Sequence, residues 1–260
     1  MSGGATLDWG DGDYGPTATA LQPAATVALD ALGLRAGEHL IDVGCGTGNA
    51  LVEAARRGVR VAGFDPSARL AERASARLAG LGLAGDVRVG SAETPPEGIE
   101  PADAVVSVFA VIFSDEPERA LRGMAGLCRP GGRLALTSWL PRGAIAAAGR
   151  VVRAALPAPA AATDPPRWHE PGWIAELLEA AGARDVTITE HELVFRDASP
   201  DAWFADQEAR HPVWRAARGA VGEDAWPALR AESLAVLRDQ NEDPSAFAVT
   251  SGYVVVCAAR

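Results

Sequence analysis

Four residues carry the first chemical signal: Gly44, Gly46 and Gly48 within LIDVGCGTGNA (40–50), and Asp65, which closes VAGFD (61–65). Glycines let a chain turn tightly and bring backbone N–H groups against a bound molecule. An acid at the end of the next strand stands where it can accept both hydroxyls of a ribose. Spacing of this kind describes a pocket for a nucleoside-bearing cofactor. Two plainer readings compete with it. The glycines could form a strand-to-helix turn with no ligand, and Asp65, just before Pro66, could cap the next helix. A carboxylate has enough acceptor sites to do both.

The remaining polar inventory narrows the chemistry. No lysine occurs among the 260 residues, so all 24 basic side chains are arginine. A Schiff-base lysine or a P-loop cannot be built from such a chain. Cys45, Cys128 and Cys257 have neither metal-ligand nor disulfide spacing, and the expectation is reduced thiols and no metal. Of the four histidines, His39 reads as a surface structural residue, and His191, flanked by Glu190 and Glu192, as a strand residue. His169 and His211 are the candidates for a general base, because a near-neutral pKa suits proton removal from a hydroxyl or amine. The net charge of -10 disfavours a nucleic-acid partner. MSGGATLDWGDGDYG lacks the basic and apolar parts of a signal peptide, and no apolar run reaches the roughly 18 residues of a membrane helix. A cytoplasmic protein without a membrane partner is the expectation.

Strand and helix periods alternate from residue 39 to 139. HLIDVG reads as a strand, NALVEAARRG as a helix stopped by Gly58, and VRVAGFD as a second strand. PSARLAERASARLAGLG follows as a helix with Pro66 at an early position, then DVRVG and ADAVVSVFA as strands. DEPERALRGMAGLC is a helix ending at Arg129-Pro130-Gly131-Gly132, before the strand RLALTSWL. Beyond an alanine-rich helix and the loose stretch LPAPAAATDPP come a helix (GWIAELLEAAG) and a strand (DVTITEHELVF). Short helical patterns over 199–240 then precede the strand SGYVVVCAA. Crossover connections of this kind are right-handed. The expected fold is an α/β, doubly wound, mainly parallel seven-stranded Rossmann-like sheet with a helical lid inserted before the last strand. Its parts are a capping segment (1–38), the core (39–196), the lid (197–248) and the final strand (249–260). Ligands of such sheets bind beyond the carboxyl ends of the strands.

LIDVGCGTGNA, VAGFDPS, VRVGSAETPP, ADAVVSVFAVIFS and LCRPGGRLALTSW resemble, in order and spacing, the motifs of class I S-adenosylmethionine-dependent methyltransferases. WGDGDYGPTA and SGYVVVCAAR resemble the small-molecule branch common in actinobacteria. The resemblance implies S-adenosylmethionine as cofactor and S-adenosylhomocysteine as product. It sets the methionine part on the loop from Asp42 through Gly44, Cys45, Gly46 and Gly48, and the ribose on Asp65 beside Pro66. Ser91, Ala92 and Glu93 meet the adenine, with Ser91 standing where many relatives have an aspartate. Val108 borders the cofactor, and Phe109, Phe113, Trp139 and Trp203 the acceptor. For Val108 and Phe109 the competing reading is core packing, as it is for the tryptophans of the insertion. Tyr14 belongs either to a segment folded over the cofactor or to a flexible tail.

The implied function is O- or N-methylation of a small molecule in specialised metabolism, by a monomer or homodimer. One alternative keeps the cofactor but transfers no methyl, as a cyclase would. The other is a nicotinamide-dependent oxidoreductase, against which stand Asn49 at the third glycine position of GxGxxG and the impossibility of a Tyr-x-x-x-Lys pair.

Overall fold

A computed structural model describes residues 9–155 and 166–260. All but Pro166 of the loose stretch LPAPAAATDPP falls outside the described residues. Seven strands form one sheet in the order β3-β2-β1-β4-β5-β7-β6. They are β1 (His39–Val43), β2 (Arg60–Asp65), β3 (Asp86–Val89), β4 (Ala102–Ser107), β5 (Cys128–Trp139), β6 (Arg184–Asp197) and β7 (Phe247–Ala259). Pairing is parallel from β3 through β5, and β7 lies antiparallel to β5. β1 is buried at all five positions, as a central parallel strand covered on both faces must be. The doubly wound, mainly parallel sheet anticipated from the sequence is therefore present. Strand order reverses between β1 and β4, and the glycine turn leaves β1 there.

Contacts group the described residues into two units. One comprises residues 18–140, 166–191 and 253–260. It holds most of α1 (Gly15–Leu32), and all of α2 (Asn49–Arg56), α3 (Ala68–Gly80), α4 (Pro117–Gly126) and α6 (Pro171–Ala180). Its core joins Ile41, Phe64 and Val105 of the sheet to Leu121 and Met124 of α4 and Ile174 of α6. The other unit comprises residues 9–17, 141–155 and 192–252. It holds α5 (Ala144–Ala155), α7 (Pro200–Arg210), α8 (Pro212–Val221) and α9 (Trp226–Asp239) around Trp203, Phe204, Trp214, Trp226 and Phe247.

Three local expectations are corrected. Pro66 lies outside α3, whose N-cap is Ser67: its hydroxyl accepts the N–H of Leu70, and the helix begins at Ala68. A serine cap competes better for a helix start than a proline that merely tolerates one. α4 ends at Gly126, and Arg129-Pro130-Gly131-Gly132 belongs to β5. The chain there shifts register between the pairs Ala102↔Cys128 and Ala104↔Arg133, which absorbs the two glycines into the strand. His39 is buried, 9% exposed, not a surface residue, and its N–H donates to Asp103.

Candidate cofactor site

The glycine turn is built by close approach and left-handed backbone. Gly44, Gly46 and Gly48 have φ of 71°, 53° and 83°. At Gly44 a Cβ would stand 2.3 Å from the Cβ of Ala110, so only glycine lets β1 exit beside the β4 loop. The N–H groups of Gly44 and Cys45 both donate to the Phe64 carbonyl at the end of β2, at 2.8 and 3.0 Å. Gly48, in the left-handed conformation, caps α2. Asn49, in place of a third dinucleotide-motif glycine, donates to the Ala18 carbonyl of α1 and accepts from Arg77. That side chain is a brace between helices.

Two buried carboxylates flank the turn, Asp42 (2% exposed) and Asp65 (5%). Asp65 accepts the N–H of Gly46 through Oδ2 and that of Ser67 through Oδ1, both at 2.9 Å. It therefore ties the turn to the loop after β2 and is not the α3 cap. Burial raises its pKa, opposed by these two hydrogen bonds. Oδ1 of Asp42 is buried without a partner. Burial, with Asp65 adding repulsion, pushes the Asp42 carboxyl up to about 8. The Cys45 thiol between them is held well above its usual range by burial and by the two acids. A buried polar atom left unpaired costs on the order of 1–3 kcal/mol. The pair therefore fits a ligand that brings donors, an ammonium to Asp42 and hydroxyls to Asp65, as the methionine and ribose parts of S-adenosylmethionine do.

The loop after β3 forms a second wall. Ser91 closes a short turn at the surface: its hydroxyl accepts the N–H of Thr94 and pairs with the Thr94 hydroxyl at 3.0 Å. Ala92 is buried, and α4 approaches its carbonyl so closely that a Cβ on Gly123 would come within 1.9 Å of the oxygen. Glu93 accepts a very short hydrogen bond from Ser114. Burial works against its charge, but the Ser114 and Ser91 hydroxyls outweigh burial and hold its pKa below the usual range.

After β4 the Ser107 hydroxyl donates to the Val43 carbonyl at 2.8 Å and accepts the Val111 N–H at 3.0 Å. This clamp holds the β4 exit against the glycine turn, and sequence reasoning missed it because a lone serine at a strand end has no distinctive spacing. Val108 is half-buried. Phe109, with φ of 50°, is one of two non-glycine residues with positive φ among those described. Its ring lies flat on Trp139, centroids 3.8 Å apart and 4° from parallel. Phe113, in the 3₁₀ turn Val111–Phe113, is 46% exposed.

The remaining candidates belong to both units. His169 sits half-exposed beside Glu170, Nε2 to Oε1 3.8 Å, in the turn before α6. His211 and Tyr14 are in the helical unit, where Tyr14 packs on Trp9 and on His211 with centroids 5.9 and 6.0 Å apart. Asp11 pairs there with Arg215 at 2.8 Å, and a Cβ on Gly12 would meet the Arg210 carbonyl at 2.3 Å, so Tyr14 is anchored, not part of a loose tail. Nδ1 of His211 accepts the Val213 N–H at the start of α8, and burial pushes the ring's pKa down to about 4. Trp203 is 5% exposed in the core of the helical unit, on Phe247. That packing accords with the core reading set beside the acceptor-pocket one for the tryptophans of the insertion. Among the described residues no group of acids, histidines and cysteines could hold a metal ion, and no helix is long and apolar enough to cross a membrane.

A glycine turn at the reversal of strand order, an acid closing the next strand and a mainly parallel sheet with an antiparallel β7 define a Rossmann-like nucleoside-cofactor fold. Residues 41–136 match the family model described as methyltransferase domain. Nocamycin O-methyltransferase of Saccharothrix syringae is 34% identical over 201 residues, 70% of this chain and 71% of that protein. The chain belongs to the class I S-adenosylmethionine-dependent methyltransferases. An uncharacterised protein of Mycobacterium tuberculosis is 35% identical over 136 residues, 52% of this chain, and the chain spans about half of that relative's length. In fold the chain is similar to the [4+2]-cyclase SpnF, with TM-score 0.57 and 20% identity over 92% of this chain and 80% of that one.

Proposed function

We propose that the chain binds S-adenosylmethionine and directs methyl transfer to an oxygen of a small molecule. The observation that carries this reading is the unpaired, buried Asp42 beside Asp65 at the glycine turn, two acceptors awaiting a donor-rich ligand. The likeness to a nocamycin O-methyltransferase supports oxygen as the acceptor atom and a natural-product role. An acidic chain favours a small molecule over nucleic acid.

S-adenosylmethionine supplies a methyl group already activated on a sulfonium. What remains for the protein is alignment and exclusion of water, and alignment alone reaches effective molarities on the order of 10⁵–10⁸ M. Asp42 takes the ammonium, Asp65 the ribose hydroxyls, and the Ser91–Glu93 loop covers the adenine. Cys45 and the turn glycines present backbone to the methionine part. Where the acceptor must lose a proton, His169 is the better base of the two histidines. His211 uses its Nδ1 lone pair at the α8 cap and is too weakly basic at neutral pH.

Calorimetric titration with S-adenosylmethionine and with NAD tests the reading. Binding of the first alone, at least about 10-fold weaker in Asp65→Ala, is the expected result, because hydrogen bonds to a charged partner contribute on the order of 1.5–3 kcal/mol. Binding of NAD without S-adenosylmethionine overturns it.

A further inference from the structure

The glycine turn is held in two halves by two different sets of hydrogen bonds. In the first half the N–H groups of Gly44 and Cys45 donate to the Phe64 carbonyl and that of Gly46 to Asp65, so β2 and the loop after it fix this part. None of those bonds reaches Thr47 or Gly48. There the chain runs between two left-handed glycines, Gly46 and Gly48, and α2 starts without a side-chain cap. Glycine takes either sign of φ at little cost, so such a turn has other backbone states within easy reach.

Arg77, in the last turn of α3, closes this gap. The helix passes so near that a Cβ on Gly48 would stand 3.2 Å from that of Ala74, one turn before Arg77. The Arg77 guanidinium donates through Nη1 to the Thr47 carbonyl at 3.2 Å and to Oδ1 of Asn49 at 2.8 Å. On the other side of the same peptide, the Gly48 N–H donates to the Cys45 carbonyl at 2.8 Å. The Thr47–Gly48 peptide is therefore held at both of its polar groups and flips only by breaking both bonds. Asn49 extends the restraint, since its Nδ2 donates to the Ala18 carbonyl at 2.6 Å, in the part of α1 that belongs to the sheet unit. An exposed arginine in the last turn of a helix ordinarily serves the carbonyls of its own helix end. Arg77 instead reaches a turn 30 residues earlier in the chain.

We infer that Arg77 is a positioning residue of the cofactor site: by fixing the Thr47–Gly48 peptide and Asn49, it keeps the second half of the turn in the shape that receives the methionine part of S-adenosylmethionine, without touching the cofactor. This rests on the cofactor reading and adds the residue that preorganises the turn. Ordering completed in the free protein does not subtract from affinity, whereas a turn that samples several states binds in proportion to the fraction already in shape. The effect falls on the amino-acid end of the cofactor alone. Asp65 and the Ser91–Glu93 loop, which take the ribose and the adenine in that reading, are held by other bonds.

Calorimetric titration of the full chain compares S-adenosylhomocysteine with methylthioadenosine, which keeps the adenine, ribose and thioether but has no amino-acid end. In Arg77→Ala, S-adenosylhomocysteine is expected to bind about 5-fold weaker, the scale of partly exposed hydrogen bonds, while methylthioadenosine stays within about 2-fold of the parent. Alanine suits a helix at least as well as arginine, so α3 keeps its form. Arg77→Lys retains the charge but not the flat fork of donors, and its affinity is expected to fall between those of the parent and the alanine variant. The lysine variant also carries the comparison should the alanine variant melt too low to titrate. Equal weakening of both ligands, as a general loosening of the fold would give, overturns the inference, and so does an unchanged S-adenosylhomocysteine affinity. A parent chain to which S-adenosylhomocysteine does not bind overturns the cofactor reading, and the inference with it.

Discussion

Asp42 is where burial and charge conflict most sharply. Its carboxyl is pushed up to about 8 by burial first and by Asp65 second, from an ordinary value of 3.8. The folded protein therefore holds this proton over a range where the unfolded chain has lost it. Asp42 contributes most to stability below about pH 4, and that contribution is lost as the pH rises toward 8. The melting temperature of the ligand-free protein is expected to fall between about pH 5 and pH 8 by a component that Asp42→Asn removes. Differential scanning calorimetry across that range checks it, and equal slopes in the two proteins would count against the assignment. An ammonium facing the carboxylate favours the charged form, so affinity for S-adenosylmethionine should rise with pH over the same range. Of the residues at this site, the glycines and Asp65 were legible in the sequence because they are close neighbours at fixed spacing. Ser107 was not, because only the pairing of β4 with β1 brings its hydroxyl to the Val43 carbonyl.

At the scale of elements, two helices fix the walls of the site, and each depends on one small residue. Ser67 caps α3 directly after the loop that Asp65 holds. Ser67→Ala should destabilise the protein by about 1 kcal/mol, read as a lowered denaturation midpoint with an unchanged slope. Gly123 lets α4 lie against the Ala92 carbonyl. Gly123→Ala must move the helix or the adenine-side loop, and overpacking of this kind costs about 1–3 kcal/mol. The expected outcome is a lowered melting temperature together with weaker S-adenosylmethionine binding, whereas Ser67→Ala affects the former more. The strand and helix order was readable from periodicity, since each segment carries its own pattern. The start of α3 and the extent of β5 were misread because they turn on competing local signals, serine against proline and a register shift against a glycine pair.

At the scale of the molecule, neither unit is a continuous stretch of chain. The sheet unit takes residues 18–140, 166–191 and 253–260, and the helical unit 9–17, 141–155 and 192–252. A contiguous fragment such as 39–196 carries the glycine turn, Asp65 and six strands but lacks β7, which lies between β5 and β6. It should express as an aggregating, non-native species by circular dichroism and size exclusion, while the full chain is folded. A soluble, S-adenosylmethionine-binding fragment would contradict this. The sequence showed a strand near the end of the chain but not its place in the sheet, because strand order is decided by pairing between distant segments and not by any local pattern.

The position of β7 also sets a schedule. Val254, Val255 and Val256 of this strand are wholly or almost wholly buried between neighbours made more than fifty residues earlier. While a ribosome is still translating the helices of residues 200–239, β5 and β6 wait with open hydrogen-bonding edges on the sides they will share with β7. At about 5–20 residues per second that interval lasts seconds, long enough for an unpaired edge to find the wrong partner. Slow codons ahead of residue 247, or a shortage of chaperones that shield open strands, would then lower the yield of active protein without changing a single amino acid.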